Sequence, residues 1–402
     1  MRPFDGRRVL LGVTGGIAAY KSATLARELT LAGAEVDVVL TRSAREFVGA
    51  VTFEALTGRP VHDQLVAAGH ALDHIRLPRT ADIIVVAPAT ADFIARAAAG
   101  RADDLLAASL LAAGKAPVLI VPSMNDRMWA HTQVQQNTAR LRAIGYHVLD
   151  PETGPLASRE EGSGPGRMPE PAAIRAHIAR LLEPTSVLGG KHMVVSAGPT
   201  REALDPVRFL SNQSTGKMGV ALAAAAWRRG ATVTLVAGPL GVDAPTGPRL
   251  VAVETTQEMA DAVRDALETA DALIMAAAPA DFRPQAVAKQ KMKKRAAAPA
   301  IALEFTTDIL RATRDARRPG CVIVGFALET EDLEASAQAK LEAKSLDLVV
   351  ANRVGADSGF GADTNRVTLL GRDGRRDELP LLGKDEVADA ILDRVAGLFH
   401  GR

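Results

Sequence analysis

The sequence predicts an α/β protein made of two doubly wound, Rossmann-like domains, and three observations carry that expectation. Apolar runs of strand length alternate with segments of helical period, the alternation occurs twice, and a stretch of Pro, Ser and paired Gly separates the two series. The first series runs VLLGV (9–13), VDVVLT (36–41), DIIVVAPAT (82–90) and PVLIVPSMN (117–125). Helical segments such as SATLARELTLAG (22–33) and DDLLAASLLAAG (103–114) lie between these runs, as a parallel sheet covered on both faces requires. The seam is LLEPTSVLGGKH (181–192), which places the domains at 1–183 and 190–402. The second series runs MVVSAGPT (193–200), TVTLVAGP (232–239), ALIMAAAPADF (272–282), VIVGFALET (322–330) and LDLVVANRVG (346–355). The two halves share a pattern and not a sequence, so they are expected to do different jobs.

Composition narrows the class further. The chain has 402 residues, 47% of them hydrophobic and 24% charged, enough to bury large cores in a soluble protein. A net charge of +1 offers no global attraction to nucleic acid or to an anionic membrane. The one cysteine, Cys321, excludes an internal disulfide framework and fits a reducing compartment. The N-terminal stretch carries no secretory pattern and no run is long and apolar enough to span a membrane, so a cytoplasmic location is expected.

In such sheets ligands sit at the carboxyl ends of the strands. The first end, GVTGGIAAYK (12–21), sets Gly15-Gly16 before a helix, where open backbone N–H groups and the helix dipole favour an anion. It is neither dinucleotide fingerprint nor P-loop: G-x-G-x-x-G needs glycine at Thr14, and G-K-[ST] is replaced by Tyr20-Lys21-Ser22. The second strand ends in Thr41-Arg42-Ser43 and not in the carboxylate that would bind an NAD ribose. A phosphate is therefore expected here. In the second half, NQSTGKMG (212–219) brings Ser214, Thr215, Gly216 and Lys217 to a helix start, again without the Walker spacing. KQKMKKR (289–295) packs five basic residues into seven; without interleaved aromatics it suits a triphosphate better than nucleic acid. With a single cysteine, the chain shows no cysteine-based zinc pattern.

The motifs GVTGGIAAYK, APATAD, PSMN and GPGRM in one half, with AGPTREALDPVRFLSNQSTGKMG, AAAPADFRP and VGFALETED in the other, resemble the bifunctional coenzyme A enzymes phosphopantothenoylcysteine decarboxylase/phosphopantothenate-cysteine ligase. The likeness runs from about residue 7 to about residue 395 in the expected order. It implies a flavoprotein-type decarboxylase domain that uses FMN, followed by a ligase domain that uses CTP and Mg2+. The ligase would join 4'-phosphopantothenate to cysteine through an acyl-cytidylate. The decarboxylase would convert the product to 4'-phosphopantetheine by oxidising the cysteinyl thiol, losing carbon dioxide and reducing the ene-thiolate.

The resemblance also implies residue roles. Gly15, Gly16, Thr41, Ser43, Ala89 and Thr90 would hold FMN, His74 would be the essential histidine, and Asn125 would meet the substrate's carboxylate and amide. The family's substrate loop often carries a proton-donating cysteine; here PLASREEGSGPGRM (155–168) has Glu160 at that spacing, with Glu161 beside it. Four glycines and two prolines between Gly154 and Gly166 suit a lid. In the ligase half Asn212 would hold the acyl-cytidylate, Arg208 would assist the attack, and Lys291 would neutralise the leaving pyrophosphate. CTP would lie against Met275, Ala276, Ala277, Asp281, Thr307, Asp308, Ile309, Leu310, Phe326, Lys340 and Lys344, with Mg2+ carried mainly by its phosphates. Thr306-Thr307 replace the family's usual Asn-Pro. Homo-oligomers are implied: decarboxylase trimers and ligase dimers, together compatible with a dodecamer. Two alternatives stand beside this reading, an active ligase with a disabled or oxidative decarboxylase and a flavin-binding regulatory protein.

Overall fold

The computed structural model describes residues 3–400 except 67, 159, 184–185, 294–299, 330–332 and 354–360. The chain forms two compact units, Met1–Pro184 and Thr185–Arg402. Both are α/β units built on a doubly wound sheet, as the alternating pattern predicts.

The first unit has strands β1 (Arg8–Val13), β2 (Glu35–Leu40), β3 (Val61–His62), β4 (Ile83–Ala89), β5 (Val118–Pro122) and β6 (His147–Val148) in the order β3-β2-β1-β4-β5-β6, all parallel. Helices α1 (Ala19–Leu31), α2 (Ala50–Thr57), α3 (Asp73–Thr80), α4 (Ala91–Ala98), α5 (Leu105–Leu111), α6 (Asp126–Ala130), α7 (Thr132–Ala143) and α8 (Pro171–Leu182) connect and flank them. A hairpin of β7 (Glu152–Pro155) and β8 (Ser163–Arg167) precedes α8. The period of two along β1 sends Val9, Leu11 and Val13 into one core with Leu25, Leu29, Ile174 and Ile178, and Leu10 into the other with Phe93, Leu106 and Leu141. Each such leucine or phenylalanine contributes about 1.5–3 kcal/mol by leaving water.

The strand order reverses direction between β1 and β4, and Thr14 ties those two ends together. Its hydroxyl donates to the Pro88 carbonyl at 2.8 Å and accepts from the Thr90 N–H at 3.1 Å. This answers why threonine stands where a dinucleotide fingerprint needs glycine: the side chain laces the switch point. Thr14→Val keeps the volume and leaves a buried carbonyl and an N–H without that partner. We expect it to cost about 1–3 kcal/mol in chemical denaturation; an unchanged midpoint would deny the lacing role.

In the second unit, β9 (His192–Ala197), β10 (Arg201–Ala203), β11 (Phe209–Ser211), β12 (Thr232–Ala237), β13 (Arg249–Ala252) and β14 (Ala272–Met275) are followed by β15 (Phe282–Pro284), β16 (Leu303–Phe305), β17 (Val322–Glu329) and β18 (Leu348–Arg353). Next come β19 (Thr364–Asn365), β20 (Val367–Gly371), β21 (Arg376–Glu378) and β22 (Leu382–Gly383), with helices α9 (Lys217–Arg228), α10 (Thr256–Leu267), α11 (Ile309–Ala312), α12 (Leu333–Ala343) and α13 (Lys384–His400). The main sheet has eight strands in the order β13-β12-β9-β14-β17-β18-β20-β21. It is parallel through β18 and antiparallel at β20 and β21. Its switch point lies between β9 and β14, where Pro199 bridges Ala278. Cys321 is buried, as a small apolar residue would be, and sits just before β17 and not within it.

Candidate functional site

Each unit opens a cavity at its switch point. The first is about 480 Å³ and is lined by Gly15, Gly16, Ile17 and Ala18 ahead of α1, by Pro88, Thr90 and Ala91 after β4, and by Ser123, Met124 and Asn125 after β5. Helix α1 begins without a side-chain cap and without an acidic residue in its first turn, which leaves its dipole end free for an external anion. By contrast α4, beside it, is capped by its own Thr90 hydroxyl on the Phe93 N–H. A Cβ on Gly15 would stand 2.3 Å from the Ser43 Cβ, so only glycine allows the β1 and β2 loops to meet here. Lys21 is buried at the cavity wall and donates to the Met168 carbonyl at 2.8 Å and to Glu170 at 3.0 Å. That contact with Lys21, opposed by burial, holds the Glu170 carboxyl below its ordinary range.

The hairpin β7–β8 supplies the far wall through Pro155, Leu156, Ala157, Glu161, Gly166 and Arg167. Asn125 divides its amide: Oδ1 caps α6 on the Arg127 N–H at 3.0 Å, and Nδ2 donates to the Glu161 carboxylate at 3.1 Å. Glu161, and not Glu160, therefore meets the cavity; Glu160 is exposed and outside the lining, because neighbours in a turn point different ways. Three expected cofactor residues also lie outside the lining. Thr41 is buried and turns its hydroxyl to the Ala44 N–H at 3.3 Å, Ser43 is exposed behind Gly15, and Ala89 is enclosed in β4. His74 is the second residue of α3, half-buried, and its buried Nδ1 has no hydrogen-bond partner among the described residues. Such an atom is a ready contact for a ligand or a second subunit.

The second unit has two adjoining cavities that share Ala277, Asp281, Phe326 and Lys340. The larger, about 490 Å³, is lined by Met275, Ala277, Asp281, Thr307, Asp308, Ile309, Leu310, Phe326, Lys340 and Lys344, all of them expected nucleotide contacts. Ala276 lines the neighbouring cavity, about 400 Å³, together with Asn212, Lys217, Asn352 and Lys384. Where Asn-Pro is replaced, hydroxyls hold the turn: Thr306 donates to the Ala280 carbonyl at 2.6 Å and Thr307 to Gln257 at 2.8 Å. Lys344 pairs with Asp308 at 3.2 Å, and Lys340 donates to the Phe326 carbonyl at 2.6 Å.

Helix α9 starts at Gly216, whose φ of 78° is easy only for glycine, again with no side-chain cap and no acid in its first turn. Asn212 is no helix cap; its Nδ2 donates to the carbonyls of Ala278 and Pro279 at 3.1 and 2.9 Å, which fixes it at the switch point. Burial and the nearby Lys217 lower the Lys384 ammonium pKa against the opposing pull of Asp363. Asn352 Oδ1 is buried and has no hydrogen-bond partner among the described residues. Asn352 and Lys384 are absent from the sequence expectations. A polar residue ending the apolar run LDLVVAN could have pointed to the first, while no local signal marks Lys384.

Arg208 and Lys291 lie outside both cavities. Buried Asp205 holds their segments together: its carboxylate accepts from Arg208 Nε and Nη2 at 3.0 and 2.6 Å and from the Met292 N–H at 3.1 Å, while Arg208 also donates to the Met292 carbonyl at 2.7 Å. Lys294 and Arg295 of the basic run lie outside the described residues. Burial pushes the Asp205 carboxyl up, but Arg208 and the N–H groups of Val207, Met292 and Arg208 outweigh it and hold it well below the carboxylate range. A depressed pKa stabilises the fold above the unfolded value, near ~4, and that contribution fades as pH falls further. Asp205→Ala is therefore expected to lower the denaturation midpoint at neutral pH. The gap from the parent should narrow below about pH 4; a gap independent of pH would assign it to packing alone.

Relatives of known family match both units. A flavoprotein family model matches residues 2–183, and the model for the DNA/pantothenate metabolism flavoprotein C-terminal domain matches residues 188–398. The coenzyme A biosynthesis bifunctional protein CoaBC of Mycolicibacterium smegmatis is 46% identical over 411 residues, covering 98% of this chain and 99% of its own. CoaBC of Bacillus subtilis is 44% identical over 402 residues, covering 98% of each. A crystal structure of a C-terminal domain of CoaBC is 39% identical, covering 54% of this chain and all of its own, with a TM-score of 0.47. With such identity over nearly the whole length and both domain models matched in order, the chain belongs to the CoaBC family of bifunctional coenzyme A biosynthesis enzymes.

Proposed function

We propose that residues 190–402 ligate 4'-phosphopantothenate to cysteine with CTP, and that residues 1–183 decarboxylate the product to 4'-phosphopantetheine with FMN. The observation that carries this reading is that one cavity of the second unit is lined by ten of the residues expected to meet CTP, from Met275 to Lys344, while the first unit opens its own cavity at an uncapped helix start. In ligation, the substrate carboxylate attacks the α-phosphorus and pyrophosphate leaves; the cysteine amine then takes the acyl group and CMP leaves. Asn212 positions the mixed anhydride, Lys217, Lys340 and Lys384 face the anions, and Asp281 meets the nucleoside. Arg208 and Lys291, on two segments that Asp205 holds together, would approach the phosphates from there. Mg2+ would ride mainly on the phosphates.

In the first unit the residues fit FMN: glycines at an uncapped helix start for its phosphate, Thr90 and Ser123 as polar contacts, and Ile17, Pro88, Met124 and Met128 as apolar cover. Bound there, the flavin would supply reversible two-electron oxidation at the cysteinyl thiol. Asn125 orients the substrate, His74 transfers a proton or positions the substrate carboxylate, and Glu161 holds the proton needed to complete reduction. Small-molecule substrates, a cytoplasmic location and assembly through decarboxylase trimers and ligase dimers belong to the same proposal. The test is mass spectrometry of products from the purified chain given phosphopantothenate, cysteine, CTP and Mg2+, after recording its absorbance. Phosphopantetheine from a yellow protein is the expected result. Phosphopantothenoylcysteine alone would leave only the ligase, and no CTP-dependent product would remove the proposal.

A further inference from the structure

Two histidines with no metal-ligand spacing in the sequence converge on one carboxylate. His62 ends β3, Asp73 opens α3, and His70 lies in the connection between them. Asp73 Oδ2 lies 3.0 Å from His62 Nδ1 and 2.9 Å from His70 Nδ1. The three donor atoms all stand within 4.8 Å of one another. The His62 and Asp73 side chains are 9% and 6% exposed, whereas His70 is 55% exposed and leaves a way in from solvent. Arg76 Nε and Nη2 donate to the other oxygen, Oδ1, at 3.1 and 3.0 Å, which sets the plane of the carboxylate and leaves Oδ2 to the imidazoles.

We propose that His62, His70 and Asp73 bind one divalent transition-metal ion of the zinc class, with water completing its coordination. Two imidazole nitrogens and one carboxylate oxygen suit Zn2+, Co2+ or Ni2+, whereas Mg2+ and Ca2+ demand a shell of oxygens. In a tetrahedral site with bonds of about 2.0–2.1 Å the ligand atoms stand roughly 3.3 Å apart, so the two contacts to Asp73 need to open by about 0.3–0.4 Å while the imidazole nitrogens, within 4.8 Å of each other, adjust to the same spacing. The ion takes the place of the two Nδ1 protons, each of which moves to Nε2 of its own ring. Once bound, it clamps the end of β3 to the first turn of α3, the helix that carries His74.

The test uses the untagged full-length chain, stripped with chelator and titrated calorimetrically with Zn2+, with Co2+ absorption as a second readout of nitrogen and oxygen coordination. One ion per chain is expected. His70→Ala, a change at an exposed side chain that should leave the fold intact, is expected to weaken binding at least ~10-fold, and His62→Ala/His70→Ala to abolish it. Circular dichroism of the metal-free variants checks their folding. Failure of the parent to bind a stoichiometric ion, His70→Ala binding as tightly as the parent, or Mg2+ binding equally well would each overturn the proposal.

Discussion

Glu161→Gln is expected to slow completion of the decarboxylase reaction by about 10²–10⁴-fold while carbon dioxide is still lost, so that a product two hydrogens short of phosphopantetheine accumulates. The loop contains no thiol, and Cys321 is buried in the other unit, so the proton has to come from another group. Glu161 lines the cavity and accepts from Asn125 Nδ2 at 3.1 Å. Glutamine preserves a partner for Asn125 and has no acidic proton to give. Glu160→Gln should stay within about twofold of the parent, since surface substitutions away from such features act weakly. Mass spectrometry of the products distinguishes the outcomes. Normal phosphopantetheine formation by Glu161→Gln would end this assignment, and a defect confined to Glu160→Gln would restore the one suggested by spacing.

Asn212→Asp should reduce CTP-dependent ligation by about 10²–10³-fold and leave decarboxylation of supplied phosphopantothenoylcysteine unchanged. The native amide donates to the carbonyls of Ala278 and Pro279. A carboxylate is acceptor-only, so both bonds become repulsions and the side chain leaves the switch point. The new negative charge would also oppose the phosphates of the incoming nucleotide. Pyrophosphate release measures the first effect, and the untouched first unit is the internal control for expression and folding. A loss smaller than about tenfold would deny Asn212 its place at the reacting group.

The central parallel strands were legible because each is a continuous apolar run closed by Gly, Pro or a polar residue, as with DIIVVAPAT for β4 and VIVGFALET for β17, whereas the short parallel edge strands β3, β6 and β13 were not. The antiparallel edge was not: β20 alternates buried and half-buried residues over only five positions, and β21 has three residues, so neither produces such a run. Among site residues, the contiguous Thr307–Leu310 turn falls at the cavity because a single turn carries all four side chains. Thr41 has the right chemistry at the right strand end, but its hydroxyl turns back to the Ala44 N–H and its side chain is buried.

The sequence by itself determined two doubly wound sheets, their polar strand ends and the family, because periodicity and motif are properties of neighbouring residues. Only the tertiary structure decided that Glu161 and not Glu160 meets Asn125, that Asp205 joins Arg208 to the basic run, and that His62 and His70 share Asp73. Each of those includes one distance of about 3 Å between residues far apart along the chain, Asn125 and Glu161, Asp205 and Met292, or His62 and Asp73, and only the packing of whole elements sets such distances.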